Sequence, residues 1–353
     1  MDSPSKTLVI RFSSIGDIVL SSPLVRVMRS RFPDGQIDYV TRKEYGELVK
    51  SNQNLNHTFE FDASLGFDGL RALKKRIREE KYDLIVDIHD SLRSKYLRSL
   101  RSPGRVVVNK RVLERSILVN LKKNIYREAV HVVDRYIETL KEFGVTNDGK
   151  GLELHIPDEI LFGVAGKIAT LKLNRFEKVI GICPGARHFT KRWPVDRFAR
   201  VGATLARTLD AKVLLFGGTS DEPICTQICR EINEQVGVER ASSFCGQLRL
   251  LETAAAMEYC DVIITNDTGL MHIATAMHKK IVAIFGSTVR EFGFFPYDPS
   301  AIVLEKPGLE CRPCSHIGRG ECPEKHFKCM VEITEDEVLA RSKALLAGAP
   351  QGA

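Results

Sequence analysis

The sequence has no run of apolar residues close to the roughly 18 that are needed to span a bilayer. Its N-terminal stretch, MDSPSKTLVIRF, also has no apolar core long enough for a signal peptide. These two absences lead us to expect a cytoplasmic protein. In that compartment nine cysteines, an odd number, favour free thiols or metal ligands over a framework of disulfides.

The sequence also lacks the GxGxxG fingerprint of dinucleotide-binding folds. The first predicted strand, residues 7–12, is followed by SSIGDI, in which Gly16 is the only glycine. We therefore expect no nicotinamide or flavin site at this turn. Asp17 lies there instead, where it either caps the next helix or presents a carboxylate to a crevice.

The length of 353 residues exceeds what one hydrophobic core usually spans, so two domains are expected. Short apolar runs alternate with helical patterns, which predicts an α/β fold with two parallel sheets facing a central cleft. The strands are predicted at residues 7–12, 36–41, 58–62, 84–88, 178–183, 212–216, 262–264 and 280–285. The predicted domains are residues 1–150, a linker and bridging helix over 151–177, residues 178–333, and a terminal helix and tail over 334–353.

Residues 261–277, DVIITNDTGLMHIATAM, combine a buried strand, a polar turn and a helix. Asn266, Asp267 and Thr268 supply capping side chains, and Gly269 opens the helix. Backbone N–H groups and the positive end of the helix dipole then lie at the carboxyl edge of a sheet. Such an edge suits a phosphate or pyrophosphate, although a capped junction without a ligand has the same pattern.

Two further loops are predicted at the same edge. PGARHFTKRWP, residues 184–194, has the bases Arg187, His188, Lys191 and Arg192, which predict a diphosphate pocket unless the loop is merely mobile and basic. FGGTSDE, residues 216–222, is a strand-to-helix turn. In it Asp221 or Glu222 could accept ribose hydroxyls or cap the helix.

Residues 93–127 contain eleven bases and one acid, Glu114. Runs of charge are usually solvated faces, but this imbalance within a folding segment favours a surface for phosphates or anionic lipid headgroups. The bases are Arg93, Lys95, Arg98, Arg101, Arg105, Lys110, Arg111, Arg115, Lys122, Lys123 and Arg127.

The segment 311–329, CRPCSHIGRGECPEKHFKC, carries four cysteines, Cys311, Cys314, Cys322 and Cys329. Their thiolates could surround a tetrahedral metal ion, and reduced structural thiols are the alternative. The other five cysteines lie in predicted helices and strands and are expected in the core. They are Cys183, Cys225, Cys229, Cys245 and Cys260.

Taken together, SSIGD, PGARHFTKRWP, FGGTSDE, NDTGLMHIATAM and the Cys-rich segment resemble glycosyltransferase family 9, the ADP-heptose:lipopolysaccharide heptosyltransferases. The motifs occur in the family's order from residue 8 to about residue 340. The resemblance implies a GT-B fold, in which two Rossmann-like domains enclose the active site in their cleft. It also implies an inverting transfer of heptose from ADP-L-glycero-D-manno-heptose to a lipid A–core acceptor, without a catalytic cofactor.

The resemblance also implies roles for individual residues. Asp17 matches the general base that removes the proton of the acceptor hydroxyl, and Lys191 matches the lysine that stabilises the diphosphate leaving group. The residues implied for donor binding are Arg187, Lys191, Asp221, Glu222, Asp267, Thr268, Gly269 and His272. Those expected to bind the acceptor are Ser14, Gly16, Arg93, Lys95 and Arg98.

The expected partners are an ADP-sugar and an anionic glycolipid, with the protein peripheral to the inner face of the cytoplasmic membrane. In some relatives such a cysteine cluster binds iron, so a structural zinc or iron is expected at the four cysteines. Alternatives are a family-9 transferase with another donor or with a glycan or protein acceptor, or a nucleotide-sugar-binding protein without activity. A nucleic-acid-binding protein with a cysteine-bound metal is a further alternative, but it leaves Asp17 and Lys191 without roles.

Overall fold

A computed structural model describes residues 4–348, so residues 1–3 and the predicted tail at 349–353 lie outside the described residues. The chain divides into two compact units. The first comprises Met1–Val112 and Val130–His155, and the second comprises Leu113–Ala129 and Ile156–Ala353. Part of the basic segment 93–127, which was expected to lie wholly in the N-terminal domain, therefore groups with the second unit.

The first unit is built on a five-stranded parallel sheet with the order β3-β2-β1-β4-β5. The strands are β1 Lys6–Ile10, β2 Gln36–Arg42, β3 His57–Phe61, β4 Leu84–Asp87 and β5 Gly104–Val107. The helices are α1 Ile15–Val19, α2 Ser22–Arg31, α3 Glu47–Lys50, α4 Gly66–Glu80, α5 Leu92–Arg98, α6 Val112–Leu121 and α7 Val132–Glu138, of which α6 runs into the second unit. The first four strands were predicted to within two residues, whereas β5 was not predicted.

Apolar periodicity explains how this sheet is covered. β4 has the sequence LIVD and is buried along its whole length, as expected for a strand in the interior of a parallel sheet. α4 places Leu70, Leu73 and Ile77 on one face, at the spacing of a helix that packs on a sheet. These three side chains join Leu8 and Ile85 of the strands in one core cluster.

The second unit has a six-stranded parallel sheet with the order β11-β10-β9-β6-β7-β8. The strands are β6 Lys178–Cys183, β7 Ala211–Leu215, β8 Ala241–Ser243, β9 Val262–Asn266, β10 Lys280–Phe285 and β11 Ile302–Glu305. The helices are α8 Asp158–Ala169, α9 Val195–Thr208, α10 Glu222–Val236, α11 Leu250–Met257, α12 Gly269–Ala276, α13 Lys328–Val331 and α14 Glu335–Leu346. The prediction of two parallel sheets with flanking helices is confirmed.

One expectation about the cysteines is wrong. Cys225 and Cys245 are joined in a disulfide, although the sequence favoured free thiols or metal ligands over disulfides. Both residues are fully buried, as expected, and they lie in the core that α10 forms with β7. No spacing motif marks this pair, because the two cysteines come from different elements and meet only in the folded unit.

In each sheet the order of the strands reverses beside the first strand of the unit. The reversal lies between β1 and β4 in the first unit and between β6 and β9 in the second. Ligands of open α/β sheets bind outside the carboxyl ends of the strands at such a reversal. Among the described residues, none of the helices is long and apolar enough to cross a membrane.

Candidate functional site

In the first unit, the carboxylate of Asp17 lies just beyond the carboxyl end of β1. It occupies the first turn of the short helix α1, which also contains the buried Gly16. Its Oδ1 pairs with Arg11 Nη2 at 2.5 Å and accepts a hydrogen bond from the Tyr136 hydroxyl at 3.3 Å. Its Oδ2 accepts bonds from the backbone N–H of Ser14 at 3.1 Å and from the Ser14 hydroxyl at 2.9 Å.

These contacts determine the charge of Asp17. Burial alone would raise the pKa of this carboxyl, but the positive charge of Arg11 and the hydrogen bonds from Ser14 outweigh it and lower the pKa below its ordinary value. Asp17 is therefore ionised at neutral pH. Its side chain remains partly exposed, so the carboxylate can be reached from solvent.

Two residues that the sequence analysis did not assign to the site complete it. The buried Arg11 donates to the backbone oxygens of Ser13 at 2.7 Å and Ile88 at 2.5 Å, which fixes its guanidinium between β1 and β4. His89 follows Ile88, and its Nδ1 accepts a hydrogen bond from the Phe12 N–H at 3.2 Å. Burial and the charge of Arg11 lower the pKa of His89 to about 3, so its imidazole is neutral at pH 7.

The three bases expected to bind the acceptor follow β4 at the same sheet edge, but two of them are already paired. Arg98 Nη1 lies 3.2 Å from Asp87 Oδ2 and 3.6 Å from Asp90 Oδ1. Lys95 Nζ lies 3.7 Å from the same oxygen of Asp90. Arg93 is exposed and has no ion-pair partner within residues 4–348. Arg93 is therefore the base of this helix that is best placed to meet an anion.

In the second unit, Lys191 and Asp267 form a largely buried ion pair at the reversal between β6 and β9. The ammonium of Lys191 lies 2.6 Å from Asp267 Oδ2, and the two side chains are 16% and 5% exposed. The same oxygen accepts a hydrogen bond from Thr288 Oγ1 at 2.7 Å. Thr288, which the sequence analysis did not single out, follows β10. Side chains from the loops that follow β6, β9 and β10 are therefore in contact at this position.

Asn266, the last residue of β9, fastens the basic loop to this point. Its Nδ2 donates to the Pro184 carbonyl at 2.7 Å, and its Oδ1 accepts from the Trp193 N–H at 3.1 Å. The buried Trp193 donates through Nε1 to the Ile333 carbonyl at 3.0 Å. Because both ends are held, the loop is not simply mobile. Arg187 within it is exposed and forms no ion pair in the part of the chain that the structure describes.

The turn that follows Asp267 begins the helix α12. Thr268 is the N-cap residue, and its buried Oγ1 has no hydrogen-bond partner within residues 4–348. Gly269 is the first helical residue, and the buried His272 lies one turn further along. The free N–H groups of a helix start and an unsatisfied buried hydroxyl both favour an anionic ligand with acceptor oxygens.

The two acids considered for ribose binding have different surroundings. Asp221 Oδ2 accepts a hydrogen bond from the Gly218 N–H at 3.0 Å, so this side chain caps its own turn. Its carboxylate also lies against Gly185, where an added Cβ would approach its atoms to 2.3–2.5 Å. Glu222 is exposed, and its Oε2 lies 3.3 Å from the position of a Cβ on Gly246. Only Asp221 is thereby brought to the loop that follows β6.

The four cysteines of segment 311–329 are not gathered into a metal site. Cys311 Sγ lies 3.8 Å from His326 Nε2. In the described part of the chain, however, no group of three or more His, Cys, Asp or Glu side chains is arranged to hold a metal ion. The expectation that Cys311, Cys314, Cys322 and Cys329 bind zinc or iron therefore has no support from this geometry.

Comparison with known proteins gives consistent matches. The sequence profile of glycosyltransferase family 9 (heptosyltransferase) matches residues 70–326. The lipooligosaccharide heptosyltransferase 2 of Campylobacter jejuni is 26% identical over 334 residues, covering 94% of this chain and 95% of that protein.

Among solved structures, a family 9 glycosyl transferase from Veillonella parvula is 25% identical with a TM-score of 0.82, and 98% of each chain is covered. The Escherichia coli ADP-heptose LPS heptosyltransferase II is 24% identical with a TM-score of 0.75, covering 97% of this chain and 99% of that one. These likenesses show a GT-B-like fold, with two parallel sheets and flanking helices.

Proposed function

The chain belongs to glycosyltransferase family 9 and is a glycosyltransferase, and we propose that it transfers a heptose from ADP-L-glycero-D-manno-heptose to a lipid A–core acceptor. Relatives named as heptosyltransferases of lipooligosaccharide or lipopolysaccharide match almost the full length of the chain. The single observation that carries the proposal is the cluster of Lys191, Thr268 and the start of α12 at the strand reversal of the second unit.

This cluster has the chemistry that a sugar diphosphate requires. The diphosphate oxygens would accept hydrogen bonds from the N–H groups at the start of α12 and from the Thr268 hydroxyl. The ammonium of Lys191 would lie beside them and stabilise the charge that develops on ADP as it leaves. Asp267 holds that ammonium in place before the donor arrives, and the hydrogen bond from Thr288 fixes the Asp267 carboxylate.

Asp17 would act as the general base in the first unit. The acceptor oxygen attacks the anomeric carbon while its proton passes to a carboxylate oxygen of Asp17. The bond from the anomeric carbon to the diphosphate oxygen breaks, and its electron pair leaves with ADP. Attack from the side opposite to the leaving group inverts the anomeric configuration. The ionised state of Asp17 supports this role, because a protonated carboxyl could not accept the proton.

The proposal extends to the acceptor and to the location. An acceptor that is anchored by lipid A would place the enzyme at the inner face of the cytoplasmic membrane, as a peripheral protein. Arg93, exposed and without an ion-pair partner in the described residues, would meet phosphates of the acceptor. No catalytic cofactor is proposed, because the cations of the protein would carry out the charge stabilisation.

Calorimetric titration with ADP, UDP and GDP tests the donor half of the proposal. We expect selective binding of ADP that weakens at least tenfold in Lys191→Ala, and unchanged binding in Lys343→Ala, an exposed lysine of α14. A preference for UDP or GDP would keep the transferase and discard ADP-heptose as the donor. The absence of any nucleotide binding would refute the donor site itself.

The acceptor half requires a direct assay. Purified protein, ADP-heptose and lipid A–core from a heptose-deficient strain should give a product that is heavier by one heptose in mass spectrometry. ADP binding without such a product would point to another sugar or another acceptor within the same family.

A further inference from the structure

The segment that follows α6 presents a regular pattern on the surface of the second unit. After Leu121 the chain runs without helix or strand through residue 126, and Lys122 has a left-handed backbone conformation with φ at 55°. Lys122 Nζ donates to the carbonyl oxygens of Cys311 at 3.2 Å and Pro313 at 2.6 Å. Asn124 Nδ2 donates to Glu291 Oε1 at 2.8 Å. The two even-numbered side chains therefore fasten this segment to its own unit.

Four odd-numbered residues of the same stretch also lie on the surface. Leu121 is 71% exposed and Ile125 is 38% exposed. Lys123 and Arg127 are exposed as well, and neither has an ion-pair partner within residues 4–348. An apolar residue and a cation thus alternate over four outward positions. We call Leu121, Lys123, Ile125 and Arg127 the docking strip.

The neighbouring helix continues the apolar part of this surface. Leu113 of α6 is 68% exposed. It lies two helical turns before Leu121, on the same broad face. The side chains between them on the exposed side are Ser116, Ile117 and Asn120, none of which is charged. Water solvates large aliphatic side chains unfavourably, so a partner that removes these side chains from water would gain free energy at this face.

We propose that the docking strip, together with Leu113, binds the surface of an anionic phospholipid bilayer. Aliphatic side chains can enter the boundary between headgroups and acyl chains, while Lys123 and Arg127 lie at the depth of the lipid phosphates. A nucleic acid fits the strip less well, because single strands are bound by aromatic side chains that stack on successive bases, and the sequence of residues 121–127 has a single aromatic residue, Tyr126. Because Lys122 and Asn124 already anchor this segment, less conformational entropy is lost when it binds.

This inference rests on the proposed function for its purpose, because the acceptor of that reaction is embedded in a membrane. It does not rest on it for its test. None of the residues of the docking strip was assigned to nucleotide binding or proton transfer. Membrane binding can therefore be lost while ADP binding stays intact, and the two proposals can fail separately.

Sedimentation with vesicles measures the interaction directly. The full-length protein should bind vesicles of phosphatidylethanolamine and phosphatidylglycerol at 3:1 and should bind neutral phosphatidylcholine vesicles much more weakly. Lys123→Ala/Arg127→Ala should weaken the partition coefficient about thirtyfold, the combined effect of two cations near an anionic surface. Leu121→Ser/Ile125→Ser should weaken it at least tenfold, because the lost area is apolar.

Matched controls carry the same changes elsewhere on the second unit. Arg341→Ala/Lys343→Ala removes two exposed cations from α14, and Phe162→Ser removes a strongly exposed apolar side chain from α8. Both should leave the partition coefficient within twofold. All variants should keep the thermal unfolding midpoint and the ADP affinity of the parent protein, since the changed side chains are on the surface.

Three results would overturn the inference. These are no binding of the parent protein to anionic vesicles, equal losses in the strip variants and in the controls, or release from vesicles by a 20-base-pair DNA duplex that itself binds the strip. Failure of the proposed function has a different signature, since the parent protein would bind vesicles but not ADP. A transfer assay with a water-soluble, delipidated core should be unaffected by the strip variants, whereas transfer to vesicle-embedded acceptor should fall with the partition coefficient.

Discussion

Replacing Lys191 by methionine should destabilise the second unit and weaken ADP binding, and the two effects can be separated. The change leaves Asp267, which is only 5% exposed, with the hydrogen bond from Thr288 but without a counter-charge. Breaking a buried ion pair costs roughly 3–5 kcal/mol. Because the side chain of Lys191 is still 16% exposed, we expect the free energy of unfolding to fall by an amount near the lower end of this range, about 3 kcal/mol. The thermal midpoint should then fall by roughly 6–12 °C.

A second change separates stability from binding. Asp267→Asn removes the charge that was left unpaired, so the double variant Lys191→Met/Asp267→Asn should regain most of the lost stability. It should not regain ADP affinity, because no ammonium faces the diphosphate. Differential scanning calorimetry and ADP titration on all four proteins complete the cycle. Recovery of ADP affinity together with stability would show that Lys191 acts only by supporting the fold, and an unchanged midpoint in Lys191→Met would refute the argument from burial.

Three further predictions concern the two sheet edges. Asp17→Asn should lower the transfer rate by about 10²–10⁴-fold, as expected for loss of a general base, with ADP affinity changed by less than about tenfold in titration; near-normal turnover would remove Asp17 from the mechanism. Because the pKa of His89 falls from 6.5 to about 3 on folding, the stability from its neutral form is complete above pH 6.5 and is lost as the pH falls toward 3. Between pH 7.5 and 5.0 the free energy of unfolding, measured with urea, should therefore fall by roughly 1–2 kcal/mol less in His89→Gln than in the parent protein. Equal losses in the two proteins would contradict the buried neutral state. Gly185→Ala should displace the Asp221 carboxylate and cost roughly 1–3 kcal/mol in the same assay, whereas Gly166→Ala, whose Cβ meets no atom within 4 Å, should cost nothing.

Much of the fold could be predicted from the sequence because its central strands are short, continuous apolar runs. β4 and β9 are buried along their whole length, and their patterns were unambiguous. The strands that were not predicted, β5, β8 and β11, lie at the edges of the sheets, are only three or four residues long and carry few fully buried side chains. An edge strand gains its structure from pairing with its neighbour, and a local pattern does not record that pairing.

The grouping of residues 113–129 with the second unit had no local signal either. It reflects contacts between positions far apart in the sequence, and the bond of Lys122 to Pro313, nearly two hundred residues away, is one of them. The same reason explains why the sequence indicated Asp17 but not Arg11. Asp17 lies in a polar turn after a predicted strand, which is a common position for a functional carboxylate. Arg11 directly follows an apolar strand, and its contacts with Ile88 and Asp17 form only in the folded unit.

The pairing of Asp17 with Arg11 restricts how the proposed reaction can proceed. A carboxylate whose pKa is lowered is ionised and ready, but it is also a weaker base than an ordinary carboxylate. It cannot remove the proton of a sugar hydroxyl before attack, because that hydroxyl is far less acidic than the carboxyl. The proton can pass only when the new bond to the anomeric carbon has made the acceptor oxygen strongly acidic. If Asp17 is the base, deprotonation and attack therefore occur together. Loss of the Arg11 charge would raise the basicity of Asp17, and the hydrogen bonds from Ser14 and Tyr136 would still hold its carboxylate in position.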